Sequence, residues 1–143
     1  MAERKVTYQK LEGPESGFSL KAPTLERLFI DAGLALTDTW AKLDFIADGS
    51  KRTVSLQAAN FQSLMPLWLN QLTQLTNTEK FLAKRIVFEK FDGKTLTAAL
   101  FGETHSPTKH GHLSPPQAIE AEKIKIEMET DGTNHFSIRV VTG

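Results

Sequence analysis

The helix that follows Thr24 constrains this chain more than any other stretch. Leu25, Leu28, Phe29, Ala32 and Leu36 stand at i, i+3, i+4, i+7 and i+11, which is one face of a 3.6-residue period. Thr24 sits directly before that face. Its hydroxyl can accept a free amide hydrogen of the first turn, so it is the natural N-cap. The helix is predicted to run to about Trp40. Ahead of it come a short extended run, Gly17 to Ala22, and the turn Glu12-Gly-Pro-Glu-Ser16. A polar, acidic turn held beside a strand and a long helix has a rigid scaffold, which is where functional turns are often placed.

The rest of the chain has to supply a surface for that helix. Lys5 to Leu11 reads as a strand, and Arg52 to Ala58 as a half-buried one, with Val54 and Leu56 opposite Thr53, Ser55 and Gln57. A second helix follows, with Phe61, Leu64, Trp68 and Leu72 on one face and Met65, Leu69 and Leu75 beside it. Asn60 can cap it. Pro66 then requires either a kink or a later start at Ser63, because a proline inside a helix removes a hydrogen bond and crowds the previous turn. Gly33 in the first helix implies a close contact there.

From Phe81 onward the pattern is strands. Phe81–Phe91 and Thr95–Gly102 flank Asp92-Gly93, a strong two-residue hairpin signal. Glu103 to Pro116 reads as a loop, Ala118–Met128 as a strand, Asp131-Gly132 as a turn and Phe136–Val141 as the closing strand. The order implies an α+β fold, with both helices on one mainly antiparallel sheet and Leu28, Phe29, Leu64 and Trp68 buried. A length of 143 residues predicts a single domain over 1–143.

Composition excludes several function classes. Seventeen basic and seventeen acidic residues cancel, so no general field draws the chain to nucleic acid, and direct duplex binding is not expected. A local basic patch remains open. Without cysteine there is no disulfide, zinc–thiolate or thiol chemistry. No apolar run approaches the length of a membrane helix and no signal-peptide core is visible, which predicts a soluble cytoplasmic protein. Walker, GxGxxG, GxSxG and HExxH signatures are all missing.

Three constellations remain. Glu12 and Glu15, three apart in a turn, could share a hard cation through oxygen ligands. His105, His110 and His112 lie in a Pro/Gly/Ser loop. His110 and His112 would share a face if extended, as some zinc sites require, but exposed loop histidines are the favoured reading. Trp40 and Trp68, one on each helix, read as packing residues rather than base-stacking platforms.

Several of these pieces resemble the archease family. Thr24-Leu-Glu-Arg-Leu-Phe-Ile-Asp-Ala-Gly-Leu-Ala-Leu36 is similar to that family's helix T-L-E-E-x-F-x-x-A-x-x-A-L. Counting back places Gly17-Phe18, Glu15 and Glu12 on the Gly-Phe, Asp and His of its early motif L-[ED]-H-T-A-D-V-G-[FI]. Ser63-Leu-Met-Pro-Leu-Trp-Leu-Asn-Gln-Leu72 resembles L-L-x-x-W-L-N-E-L, and Gly102-Glu-Thr-His-Ser-Pro-Thr-Lys-His110 resembles G-E-P-Y-D-P-x-R-H. The resemblance implies a small α+β module with a strand–helix–strand–strand core. It further implies a non-enzymatic accessory of a GTP- and metal-dependent RNA ligase in tRNA splicing or RNA repair. Such a protein speeds guanylylation and turnover of its ligase partner.

The resemblance also implies a divalent-cation site at Glu15, Thr142 and Gly143, with Glu12, Glu103 and His110 in a possible partner or site loop. Departures are visible. The family's C-terminal Asp is Thr142, its early His is Glu12, and its K-A-V-T-[YW]-H run falls on Gln117-Ala-Ile-Glu-Ala-Glu122. Glu for Asp at position 15 moves the carboxylate by about 1.5 Å. Ca²⁺ tolerates that better than Mg²⁺ and is the expected ion. A metal-free binding or scaffold module on the same fold, with a different protein partner, is the alternative.

Overall fold

The structure, a computed structural model, describes residues 8–11, 17–111, 118–129 and 135–141. In chain order the elements are β1 (Gln9–Lys10), β2 (Gly17–Ala22), α1 (Leu25–Trp40), β3 (Ser50–Gln57), α2 (Phe61–Glu79), β4 (Phe81–Phe91), β5 (Thr95–Thr104), α3 (Pro107–His110), β6 (Ile124–Glu129) and β7 (His135–Val141). The α+β class holds. The strands, however, form two antiparallel sheets rather than one, ordered β1-β2-β7-β6 and β3-β5-β4. Local hairpins such as β4–β5 leave a trace in the sequence. The ladders that sort strands into sheets, Gly17 opposite Val141 and Ser50 opposite Gly102, join residues far apart in the chain and leave none.

Both helices begin where the capping residues place them. Thr24 Oγ1 accepts the Arg27 N–H at 3.1 Å, and Asn60 Oδ1 accepts the Ser63 N–H at 2.8 Å. Pro66 is therefore inside α2 rather than in a first turn opened by Ser63. The carbonyl it leaves without a helical donor is that of Gln62, an exposed residue that water can serve.

Each sheet covers one face with apolar side chains: Phe18, Leu20, Ile138 and Val140 from the first, Val54, Leu96, Leu100 and Ile86 from the second. Between them lies α1, which packs on β2 and β7 on one side, on β4 on the other, and on α2. That position explains why burial extends round the helix to Ile30, Gly33, Ala35 and Thr37, beyond the single stripe its periodicity marks. Leu28, Phe29, Leu64 and Trp68 are all fully buried. Trp68 donates its Nε1–H to the Phe29 carbonyl at 2.7 Å and meets the Phe88 ring edge-on, while Trp40 packs partly buried against the same core.

The β4–β5 hairpin carries two register shifts, at Ala83/Arg85 and Phe88/Lys90. Asp92 is the residue before the turn rather than a central one. Its Oδ1 accepts the N–H groups of Lys94 (2.8 Å) and Thr95 (2.6 Å), and Gly93 takes the positive φ that the turn requires. At the other end of β5, a Cβ on Gly102 would collide with the Leu82 carbonyl, so only glycine allows the strands to close next to Glu103. Of the segment read as a strand from Ala118, only Ile124–Glu129 is one; residues 121–123 form a single 3-10 turn. The Asp131-Gly132 turn and residues 5–7 of the first predicted strand lie outside the described residues; of the rest of that strand, Gln9–Lys10 is extended.

Candidate functional site

Glu103 ends the outward-facing row of β5, and the chain beyond it folds back over it. Ser106 and Pro107 open α3, a single turn whose last residue is His110. Proline suits this first position, since its missing N–H would have had no helical partner there. The turn brings Lys109 and His110 round to the Glu103 carboxylate. Lys109 Nζ stands 3.1 Å from Oε1 and 2.8 Å from Oε2, and His110 Nε2 is 2.7 Å from Oε2. From a separate segment, the Ala47 backbone N–H donates to Oε2 at 2.9 Å.

The proton on His110 can be placed. The Ser106 N–H points at Nδ1 from 2.9 Å, so Nδ1 is the acceptor and Nε2 carries the hydrogen that Glu103 receives. His105 lies beside this ring, its centroid 5.7 Å away and its plane tilted by 29°, and donates Nε2–H to the Gly111 carbonyl at 2.9 Å. The His110 side chain is completely enclosed. The expectation of exposed loop histidines therefore fails for His110. His110 closes a helical turn rather than lying in an extended run, and its neighbouring ring is that of His105. His112 lies outside the described residues.

Donors hold the Glu103 carboxyl down to about 2, far below the usual carboxylate range. Lys109 contributes most and the Ala47 N–H next. A carboxylate so stabilised is a poor proton acceptor at neutral pH, and its oxygens are already occupied by donors. Glu103 therefore acts as a clip joining β5, α3 and the 41–49 loop. The same loop is fastened by Lys84 Nζ donating to the Leu43 carbonyl at 2.6 Å and by the Ala41, Ile46 and Leu82 cluster.

Sequence reasoning brought out Glu103 and His110 but passed over Lys109, although it stands at the Arg position of the G-E-P-Y-D-P-x-R-H pattern. It also passed over Asn70. That side chain grips the Ile119 backbone in both directions, Nδ2 to the carbonyl at 2.8 Å and Oδ1 from the N–H at 2.7 Å. Asn70 is the Asn of the W-L-N pattern, so the signal was present. Tyr8, whose hydroxyl donates to Asp38 Oδ2 at 2.6 Å, carried no such signal. Burial and then that bond raise its phenol well above the usual value.

Glu12, Glu15, Thr142 and Gly143 lie outside the described residues. The described strands nearest to them end together: Gly17 pairs with Val141 at the last rung of the β2–β7 ladder. Among the described residues, no three His, Asp or Glu side chains are grouped to hold a metal ion, and no helix is long and apolar enough to cross a membrane.

Comparison with known proteins places this architecture. The model of the Archease protein family matches residues 16–141. The chain is 30% identical over 91 residues to the protein named archease from Pyrobaculum neutrophilum, an alignment covering 62% of each chain. It is 29% identical over 101 residues to the archease of Methanothermobacter thermautotrophicus, covering 68% of this chain and 70% of that one. The matched part thus spans under two thirds of the Pyrobaculum protein. In fold it is similar to the solution structure of Methanobacterium thermoautotrophicum protein 1598, with a TM-score of 0.69, 21% identity, and 94% and 96% of the two chains covered. With the family match running from the residue before β2 to the last residue of β7, the chain belongs to the archease family.

Proposed function

We propose that this chain is a non-enzymatic accessory protein of a GTP- and metal-dependent RNA ligase, promoting guanylylation and turnover of that ligase in tRNA splicing or RNA repair. The family match over residues 16–141 carries the reading. The enclosed Glu103–His110 clip supports the non-enzymatic part, since its groups are satisfied by one another rather than presented to a substrate. The chain acts in the cytoplasm with a protein partner.

A divalent cation, Ca²⁺ before Mg²⁺, is part of the proposal. Glu15 offers a carboxylate, Thr142 a hydroxyl and Gly143 main-chain oxygen, a hard-oxygen donor set that suits these ions. What supports a shared site is the Gly17–Val141 rung, which ends the ladder two residues after Glu15 and one before Thr142. The ion would supply positive charge at that end of the sheet.

The test is guanylylation of the RNA ligase from the same organism, with and without substoichiometric protein. Faster guanylylation is expected, weakened by Glu15→Gln and restored in part by Glu15→Asp. Identical time courses with and without the protein would remove the ligase reading and leave the metal-free scaffold on the same fold.

A further inference from the structure

We propose that β3 is the edge through which this protein associates with a second copy of itself. Two copies join β3 to β3, antiparallel across a two-fold axis, so that two three-stranded sheets become one sheet ordered β4-β5-β3-β3-β5-β4. The inference rests on the edges of the sheets and is independent of the ligase-accessory reading.

A sheet edge is a row of unpaired N–H and C=O groups, and natural proteins blunt it with short strands, charges or bulges. Of the four edge strands among the described residues, three are blunted. β1 is two residues long, β6 carries Lys125, Glu127 and Glu129 among its six residues, and β4 is broken by its two register shifts. β3 is different. It pairs with β5 without a shift from Ser50–Gly102 to Gln57–Thr95, and from Thr53 to Gln57 it holds no charge, proline or bulge.

The ladder fixes which main-chain groups look outward. The Ala58 N–H donates to the Lys94 carbonyl at 2.8 Å, one rung beyond Gln57–Thr95. Residues 50, 52, 54 and 56 therefore turn their main-chain groups to β5, and the alternate residues turn theirs away. Lys51, Thr53, Ser55 and Gln57 aim N–H and C=O off the edge, and all four are exposed. The Lys51 carbonyl already accepts Arg52 Nη1 at 3.0 Å, with Arg52 Nε held by Glu79 at 2.7 Å.

This edge is complementary to itself. Antiparallel pairing centred on Val54 sets Lys51 opposite Gln57 and Thr53 opposite Ser55, each pair occurring twice by symmetry. Every outward residue then meets an outward residue, as a hydrogen-bonded rung requires. Lys51 faces an amide, so no like charges oppose each other. The buried face of β3 stays on one side of the joined sheet, with Val54 against Val54. A formal net charge of zero adds no general repulsion between copies. A second copy supplies this matching order by symmetry, which is why it is the occupant.

The test uses the full chain alone. In sedimentation equilibrium the mass should rise from one chain toward two as concentration increases. Ser55→Pro removes an N–H that β5 does not use, a substitution that an edge strand accepts. It should abolish the rise while urea unfolding of the dilute protein stays cooperative. Thr53→Lys keeps the main chain and brings two added ammonium groups near each other across the axis; it should weaken association, less so at high salt. Register is read by disulfide formation, since the chain has no cysteine of its own. Thr53→Cys mixed with Ser55→Cys should oxidise to the mixed dimer, because a hydrogen-bonded rung holds the two Cα atoms about 5.5 Å apart. Neither variant should cross-link alone, because equivalent residues lie on the diagonal, about 7–8 Å apart. A mass of one chain at every concentration would overturn the proposal and leave the edge to a strand of another protein. Association unmoved by Thr53→Lys, or either cysteine variant cross-linking with itself as readily as with the other, would overturn it too, even if Ser55→Pro failed to fold.

Discussion

Glu103→Gln isolates the charge of the clip while keeping its shape. The amide oxygen can still accept from the Ala47 N–H and from His110 Nε2–H; the ionic attraction to Lys109 is lost. In the wild-type protein the Glu103 carboxyl titrates at about 2 instead of 4.5. At about 1.4 kcal/mol per pKa unit, that displacement sets an upper limit of about 3 kcal/mol. The side chain is 23% exposed and Lys109 more so, and water screens the attraction on that side, leaving about 1–2 kcal/mol. Because the folded value lies below the unfolded one, this stabilisation is complete above pH 4.5 and is lost as the pH falls toward 2. The variant should therefore be less stable by about 1–2 kcal/mol at pH 7, and by less than half of that at pH 3. Urea unfolding of both proteins at both pH values measures this, and taking the difference at each pH cancels the other carboxylates. A difference equal at pH 7 and pH 3 would show that Glu103 contributes shape and no charge. A difference near zero at pH 7 would remove the clip altogether.

Gly33→Ala sets two effects against each other. Helix propensity favours alanine by about 1 kcal/mol, but the new methyl would sit 2.9 Å from Leu72 Cδ1, 3.0 Å from Trp68 Cζ2 and 3.1 Å from Ile86 Cδ1. Overpacking costs about 1–3 kcal/mol and the buried, hydrogen-bonded Trp68 ring cannot swing aside, so a net loss of about 1 kcal/mol is expected in denaturant melts. A stabilised variant would show that the contact is loose. Asn70→Ala should cost about 1–3 kcal/mol by leaving the Ile119 N–H and carbonyl without their partner. It should also speed hydrogen exchange at the Ile119 amide; unchanged exchange would mean that Asn70 does not hold this segment.

What was legible in the sequence was what acts over a few residues. The Thr24 and Asn60 caps, the apolar face from Leu25 to Leu36 and the Phe81–Phe91 strand all come from contacts within one or two turns or along one strand, and all stand where the pattern places them. What was not legible depends on where distant segments meet. No periodicity tells β2 to choose β7 as its partner, yet that choice makes two sheets, puts α1 between them and widens its buried arc. The histidine loop shows the same limit at smaller scale. Spacing alone gave no sign of a turn at His110, whereas a proline at the start of α3 suits a helical turn that carries His110 onto Glu103. Its burial there follows from a partner seven residues upstream, and from a backbone N–H at Ala47 that no local pattern connects to it.

The sheet split also separates two kinds of chemistry that the sequence interleaves. On the β3-β5-β4 sheet, the cations near the outer face are drawn to groups of the protein itself: Arg85 lies 4.1 Å from the Phe101 ring and 3.5 Å from Asp48, and Lys109 is bound to Glu103. On the β1-β2-β7-β6 sheet, register places Lys125 against Arg139, a pairing with no mutual attraction. The β6–β7 ladder therefore sets Lys125 beside a like charge, while Lys21 and Arg139 keep partners of their own within the protein. Lys51→Gln and Lys125→Gln remove the same charge from the two sheets, and urea unfolding should show Lys125→Gln as the less costly, because it removes a like charge facing Arg139 whereas Lys51 lies 5.9 Å from the Phe101 ring; the reverse order would refute the cross-strand repulsion.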